Sequence, residues 1–202
     1  MEKIRILAAG DFHGNKGIAR KLADLAEKEN VDLIILNGDI VEDNNPHGII
    51  GYFANKNKKI GIVPGNHESV STIEMLSGIY NAKNLHDDYL IIGDVGIFGL
   101  SGVTIGFSAL SEDEIFANLK KNFEKIKHLP KKIMVTHGHP SDTMMEKFSR
   151  FVAGSEGVKK AIDLLKPDIA ICGHVHEAEG IEERIGSTKL INVGKSGKII
   201  EL

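Results

Sequence analysis

Gly65-Asn66-His67-Glu68 follows a short apolar run, residues 60–63, which Pro64 and Gly65 stop. The run predicts a buried strand, and residues 69–76 behind it predict a helix. An amide, an imidazole and a carboxylate thus meet at the C-terminal end of a strand, where open α/β sheets place ligands. Alone, the tetrad reads equally as a strand-to-helix turn with a cap. Four further strand ends carry metal-capable groups, and their coincidence outweighs that simpler reading.

Upstream, residues 4–9 predict a strand that ends in Gly10-Asp11-Phe12-His13-Gly14-Asn15. Ile18, Leu22, Leu25 and Ala26 then follow at helical spacing. Residues 31–36 predict a second strand, ending in Asn37-Gly38-Asp39. A polar turn, 42–46, and a short helix to about residue 55 lead into the strand at 60–63. This strand–helix–strand rhythm predicts parallel pairing.

Downstream, residues 89–92 and 95–100 flank Gly93-Asp94, a hairpin signal. Residues 103–110 fit no single element. Residues 111–128 predict a helix, opened by a capping box between Ser111 and Glu114 and closed by Pro130. The strand at 132–136 ends in His137-Gly138-His139-Pro140. Residues 141–154, with Met144, Met145, Phe148 and Phe151, predict a loop or lid. Ser155 opens a helix to about Lys166, and the strand at 168–172 ends in Gly173-His174-Val175-His176. The tail from Gly180 predicts antiparallel strands.

The 202 residues fit one domain, 1–202, and the 42% hydrophobic and 26% charged content is that of a globular protein with a sizeable core. A net charge of -3 argues against a dedicated nucleic-acid partner, yet leaves small anionic substrates open, since a metal inverts the local charge. Cys172 is the only cysteine, which fits a reduced, cytoplasmic protein. No signal-peptide pattern and no membrane-length apolar run is present.

The set Asp11-x-His13, Gly38-Asp39, Asn66-His67-Glu68, His137 and His174-x-His176 mixes nitrogen and oxygen ligands. Such a mixture suits Mn, Fe, Zn, Ni or Co better than Ca or Mg alone. A carboxylate can be shared by two cations, and such a pair can bind both oxygens of an in-line displacement.

In chain order these motifs resemble the signature of the calcineurin-like metallophosphoesterase superfamily, in particular its small prokaryotic phosphoesterases and phosphodiesterases. The resemblance runs from residue 11 to 176 with every metal position filled. It implies an α/β fold, a four-layer α/β/β/α sandwich of two mixed β-sheets flanked by helices. It implies two divalent transition-metal ions, manganese foremost. Asp11, His13 and His176 would hold one; Asn66, His137 and His174 would hold the other; Asp39 would bridge. His67 would be the non-ligating catalytic histidine.

On that assignment a hydroxide bridging the two metals attacks phosphorus, and His67 as imidazolium protonates or stabilises the leaving oxygen. Glu68 either supports the His67 imidazolium or is a favourable acid in a helix's first turn. Asn15 and His139 are candidates to touch substrate phosphate, with turn former and loop polar residue as their alternatives.

The protein Ser/Thr phosphatases of the superfamily carry arginines beside two of these motifs. Here Glu42-Asp43-Asn44-Asn45 and Val63-Pro64 stand there instead. Asn192-Val193-Gly194 replaces the Asn-Pro-Gly of many relatives, which touches a turn and no metal position. The expected function is therefore a metal-dependent phosphoesterase acting on small phosphodiesters, cyclic nucleotides among them. The alternatives are a phosphomonoesterase, or a nuclease on single-stranded or short nucleic acid using Lys56, Lys58 and Lys59 as a basic track. A non-catalytic scaffold is the remaining reading, and it would need none of these side chains. The expected partner is a small phosphate ester, with no membrane; a homo-oligomer stays open.

Overall fold

The computed structural model describes residues 3–42, 48–149 and 152–202. Residues 43–46 of the expected polar turn and Phe151 of the expected lid lie outside the described residues.

Five strands form the first sheet: β1 (Arg5–Ala9), β2 (Leu33–Leu36), β3 (Lys59–Ile62), β4 (Lys83–Asn84) and β11 (Lys198–Glu201), in the order β11-β1-β2-β3-β4. Six form the second: β5 (Asp88–Ile92), β6 (Val95–Leu100), β7 (Lys131–Thr136), β8 (Ile169–Cys172), β9 (Glu182–Ile185) and β10 (Thr188–Asn192), in the order β5-β6-β7-β8-β10-β9. The chain from β1 to β4 pairs in parallel, as do β6, β7 and β8. The helices are α1 (Lys16–Lys28), α2 (Ile49–Ala54), α3 (Val70–Tyr80), α4 (Glu112–Ile126), α5 (Met144–Phe148) and α6 (Glu156–Leu165).

The layers follow from the strand sequences. In β1, Ile6 and Ala8 point to one face, while Leu7 and Ala9 point to the other. Leu7 and Ala9 pack with Leu22 of α1, Phe53 of α2 and Ile73 of α3. Ile6 and Ala8 pack with Ile97, Val135 and Ile171 of the second sheet. That sheet's other face, with Phe98, Met134 and Ala170, meets Leu119 of α4 and Val158 of α6. Three apolar cores between four layers give the α/β/β/α sandwich. Continuous apolar runs are what strands buried on both faces require.

Three elements depart from the expectations. The tail pairs antiparallel between β9 and β10 and between β11 and β1, but β10 runs parallel to β8, and β11 crosses over to the first sheet. The 141–154 segment is partly core: α5 buries Met145, whose sulfur lies 3.4 Å from Cys172 Sγ. The short β4 went unforeseen because two residues, one of them lysine, carry no period. No described helix is long and apolar enough to cross a membrane.

Candidate metal centre

The parallel strands of both sheets end on the same side. Asp11 and His13 follow β1, Asp39 follows β2, Asn66 and His67 follow β3, His137 follows β7, and His174 and His176 follow β8. These loops brace one another. The Asp11 amide donates to Gly38 O at 2.9 Å and the His13 amide to Asp39 O at 2.9 Å. Asp39 Oδ1 accepts from the His67 amide at 3.0 Å, and Asp11 accepts from the His174 amide at 3.2 Å. A Cβ at Gly65 would lie 2.1 Å from Asp39 Oδ1, so glycine there lets the third strand end close against the second. Asp11, His13, Asp39 and His174 all adopt left-handed backbone, with φ of 54°, 44°, 47° and 70°.

The side chains converge in overlapping groups. Ligand atoms of Asp11, His13 and His176 lie within 4.8 Å of one another, and so do those of Asp39, His137 and His174. Asn66 Oδ1 joins the second group, 3.1 Å from His137 Nε2. Asp39 Oδ2 lies between the groups, 3.3 Å from His137 Nε2 and 3.7 Å from His13 Nε2. By distance alone His67 also fits a group with His13 and Asp39.

The tautomers favour a cation. His137 Nδ1 lies 2.9 Å from Asn37 O, and a carbonyl only accepts, so Nδ1 carries hydrogen and the neutral ring aims a lone pair from Nε2 into the cluster. His13 Nδ1 faces Glu42 Oε2 at 3.0 Å, which leaves its Nε2 pointing at His176 Nε2, 3.2 Å away. Two such nitrogens beside two buried carboxylates are held together by a positive charge. Without a metal that charge is a proton. Burial opposes it at His137, but the neighbouring Asp39 raises this imidazole to about 9. Burial likewise opposes ionisation of Asp11 and Asp39, yet bonding and charge from His176 and His137 hold both carboxyls below their ordinary values. Burial and the His137 charge push His174 down to about 3, leaving it a neutral ligand. The donor set fits divalent transition metals.

The remaining candidates sit differently from one another. Asn15 is the N-cap of α1, its Oδ1 accepting from the Gly17 and Ile18 amides at 3.0 and 3.1 Å, so the turn reading describes it. His139 is buried, 1% exposed, and stacks on His174 with ring centroids 6.1 Å apart. Glu68 is fully buried, and its Oε1 accepts from the Ile40 amide at 3.2 Å, bracing the loop that carries Asp39. The carboxylate facing His67 is Glu42, with Oε1 3.4 Å from His67 Nδ1. Neither reading offered for Glu68 describes it, since Ser69 caps the following helix. Glu42 was missed because an acid in a polar turn looks like solvated charge. Its spacing, three residues beyond Asp39 in a loop leaving the same strand end, was the available signal.

The family model described as calcineurin-like phosphoesterase matches residues 4–178. The chain belongs to this family. No curated protein matches it by sequence. The fold is similar to that of TT1561 of Thermus thermophilus, at 15% identity and TM-score 0.78, covering 100% of this chain and 99% of that one. It is similar also to a dimetal phosphatase from Danio rerio, at 13% identity and TM-score 0.64, covering 94% and 86%. A third likeness is to an archaeal phosphodiesterase, at 18% identity and TM-score 0.53, covering 98% and 100%. Family membership makes the chain a phosphoric ester hydrolase by kind, and its Asp and His side chains are positioned for metal.

Burial of Glu68 has a measurable consequence. Burial first, and the Asp39 charge second, raise its carboxyl from 4.5 to about 8. A folded pKa above the unfolded one gives stability that is full below about pH 4.5 and is lost as pH rises through about 8. Because His139 and His174, held down at about 4 and about 3, add stability as pH rises to about 6.5, the net fall in the metal-free protein should show only above that pH, in denaturant unfolding. Glu68→Gln should flatten the fall by a few kcal/mol at most, leaving the part due to His137, which is shifted the same way. An unchanged slope would mean that Glu68 is ionised and compensated in the folded protein.

Proposed function

We propose that this family member is a two-metal phosphoesterase whose preferred substrates are small phosphodiesters, cyclic nucleotides among them. The observation that carries the reading is Asp39 Oδ2, set between the His13 and His137 imidazoles with one ligand group on each side. Asp11, His13 and His176 would hold one ion and Asn66, His137 and His174 the other, with Asp39 shared and manganese the metal of first trial. Bound cations of this kind supply Lewis acidity, acidifying water and offsetting phosphoryl charge.

The chain's own residues then do the rest. Asp39 fixes the His67 backbone through its amide, so the imidazole stands at the rim, its side chain 31% exposed. Glu42 faces His67 Nδ1 and can accept from it, which orients the ring to give a proton to the leaving oxygen. Glu42 also holds His13 in the tautomer that presents Nε2.

The diester preference rests on the same carboxylate. Glu42 is an acid at the mouth, where protein phosphatases of the superfamily carry arginine. It repels a monoester dianion more than a diester monoanion. Support for the nuclease alternative weakens, since Lys56 pairs with Asp24 and Glu27, and Lys58 bonds Asn30. The archaeal phosphodiesterase among the structural neighbours is in keeping with diester chemistry.

Turnover by manganese-reconstituted protein across mono-, di- and cyclic phosphate esters tests this reading. An aryl diester should be hydrolysed with higher kcat/KM than the matching aryl monoester. A reproducible monoester preference at saturating metal would refute it.

A further inference from the structure

Phe107 is 60% exposed, yet the loop that carries it is tightly held. Its amide donates to Asn66 O at 3.0 Å. The next residue, Ser108, donates from Oγ to Gly65 O, and accepts at its carbonyl from Ser101 Oγ at 3.0 Å. The preceding residue, Gly106, has φ of 83°, and a Cβ there would meet Asn66 O at 2.3 Å. Only glycine lets the loop come so close. Three consecutive residues thus clamp onto the strand end that bears Asn66 and His67. Ile105, half exposed, lines a hollow of about 10 Å³ together with His139 and His174.

Exposed apolar residues scattered over a surface are ordinary. Ile79 of α3 and Leu164 of α6 are of that kind. Phe107 differs in place: the hydrogen bonds that fix its backbone end on a candidate metal ligand, one residue from the proposed proton donor. The leaving group of a phosphate ester must lie beside that donor. An aromatic side chain on a backbone fixed there has only two torsions to lose on meeting a ligand, and offset or edge-on ring contacts add to the burial of its surface.

We propose that Phe107, flanked by Ile105, seats the organic part of the leaving group, and that this protein selects phosphodiesters whose leaving group carries an aromatic or heteroaromatic ring. The inference rests on the phosphoesterase reading above. In the step it serves, the bond from phosphorus to the leaving oxygen breaks with its electron pair on that oxygen. The His67 proton ends there, and water supplies the oxygen that replaces it. Phe107 takes no part in proton or electron movement; it is a specificity-determining residue.

The test uses manganese-loaded protein and two diesters, methyl phenyl phosphate and methyl hexafluoroisopropyl phosphate, whose leaving groups are similarly acidic but only one of which is aromatic. Phe107→Ala should lower the phenyl-to-fluoroalkyl ratio of kcat/KM about tenfold, and Phe107→Tyr should keep it. Calorimetric titration with methyl benzylphosphonate and methyl ethylphosphonate, whose carbon–phosphorus bonds are not hydrolysed, should show the same loss of aromatic preference in Kd. Metal content should not change, because the ring is outside the ligand set. Equal losses on both diesters, no change in the kinetic ratio, or an unchanged Kd ratio would each overturn the role of Phe107. Failure of the unaltered protein to hydrolyse either diester would instead sink the phosphoesterase reading, and this inference with it.

Discussion

Asp39→Asn is expected to cost the protein both cations at once. The substitution keeps the shape of the side chain and an oxygen able to accept from the His67 amide. It removes the negative charge that faces His13 and His137 from one oxygen. Losing a partner that only supports a ligand typically costs about 10–100-fold in metal affinity, and loss of a shared ligand charge should exceed that at both positions. At manganese concentrations that saturate the unaltered protein, activity should fall to background. His176→Ala should mainly weaken the ion held with Asp11 and His13. Elemental analysis after desalting, beside far-UV circular dichroism to confirm folding, reads the difference. An Asp39→Asn protein that retains two tightly bound ions would end the shared-carboxylate assignment.

The second large effect should come from His67. Its backbone is pinned by Asp39, its Nδ1 faces Glu42, and its ring meets His13 edge-on at 4.7 Å. Distance alone would let it bind metal; its place at the rim suits it to carry a proton instead. His67→Ala and His67→Asn should keep both ions and lose roughly 10²–10⁴-fold in rate on esters with poor leaving groups, the range general acids supply. The loss should shrink for nitrophenolate, which departs unprotonated. Glu42→Gln should act in the same direction and more weakly, since it removes the carboxylate that faces Nδ1 but leaves the ring. Parallel metal analysis and kinetics on two esters of different leaving-group acidity decide the matter. Loss of an ion, or equal slowing of both esters, would return His67 to the ligand set.

What could be read from the chain alone followed physical periodicity. Runs such as 33–36 are apolar at every position because both faces are buried, so the strands and their ends stood out. The capping box of Ser111 and Glu114 marks the start of α4, where both of its bonds are present. Less visible was whatever depends on side-chain direction or on distant partners. Glu68 is adjacent to His67 in sequence, yet it turns inward to the Ile40 amide while His67 stays at the rim. Glu42 gains its meaning only where β2 and β3 end side by side. The destination of β11 depends on pairing across the whole chain with β1. The loop at 103–110 has no period because it closes on itself through one bond, Leu110 N to Val103 O, and otherwise reaches out to Gly65 and Asn66.

The left-handed backbone at positions 11, 13, 39 and 174 bears on which sequences can reach this site. Such φ values admit glycine freely, and asparagine, aspartate and histidine far better than bulky or β-branched residues. Coordination admits aspartate, glutamate, asparagine, histidine and cysteine. Both filters pass aspartate, asparagine and histidine, and at positions 11 and 39 the histidines they face favour the carboxylate among these. The alphabet there is down to a few letters before any catalytic demand is made. Mutational drift at these two sites is therefore a step to loss rather than a gradual retuning. Variation in substrate choice has to come from rim residues such as Phe107, whose side chains the backbone leaves free to change.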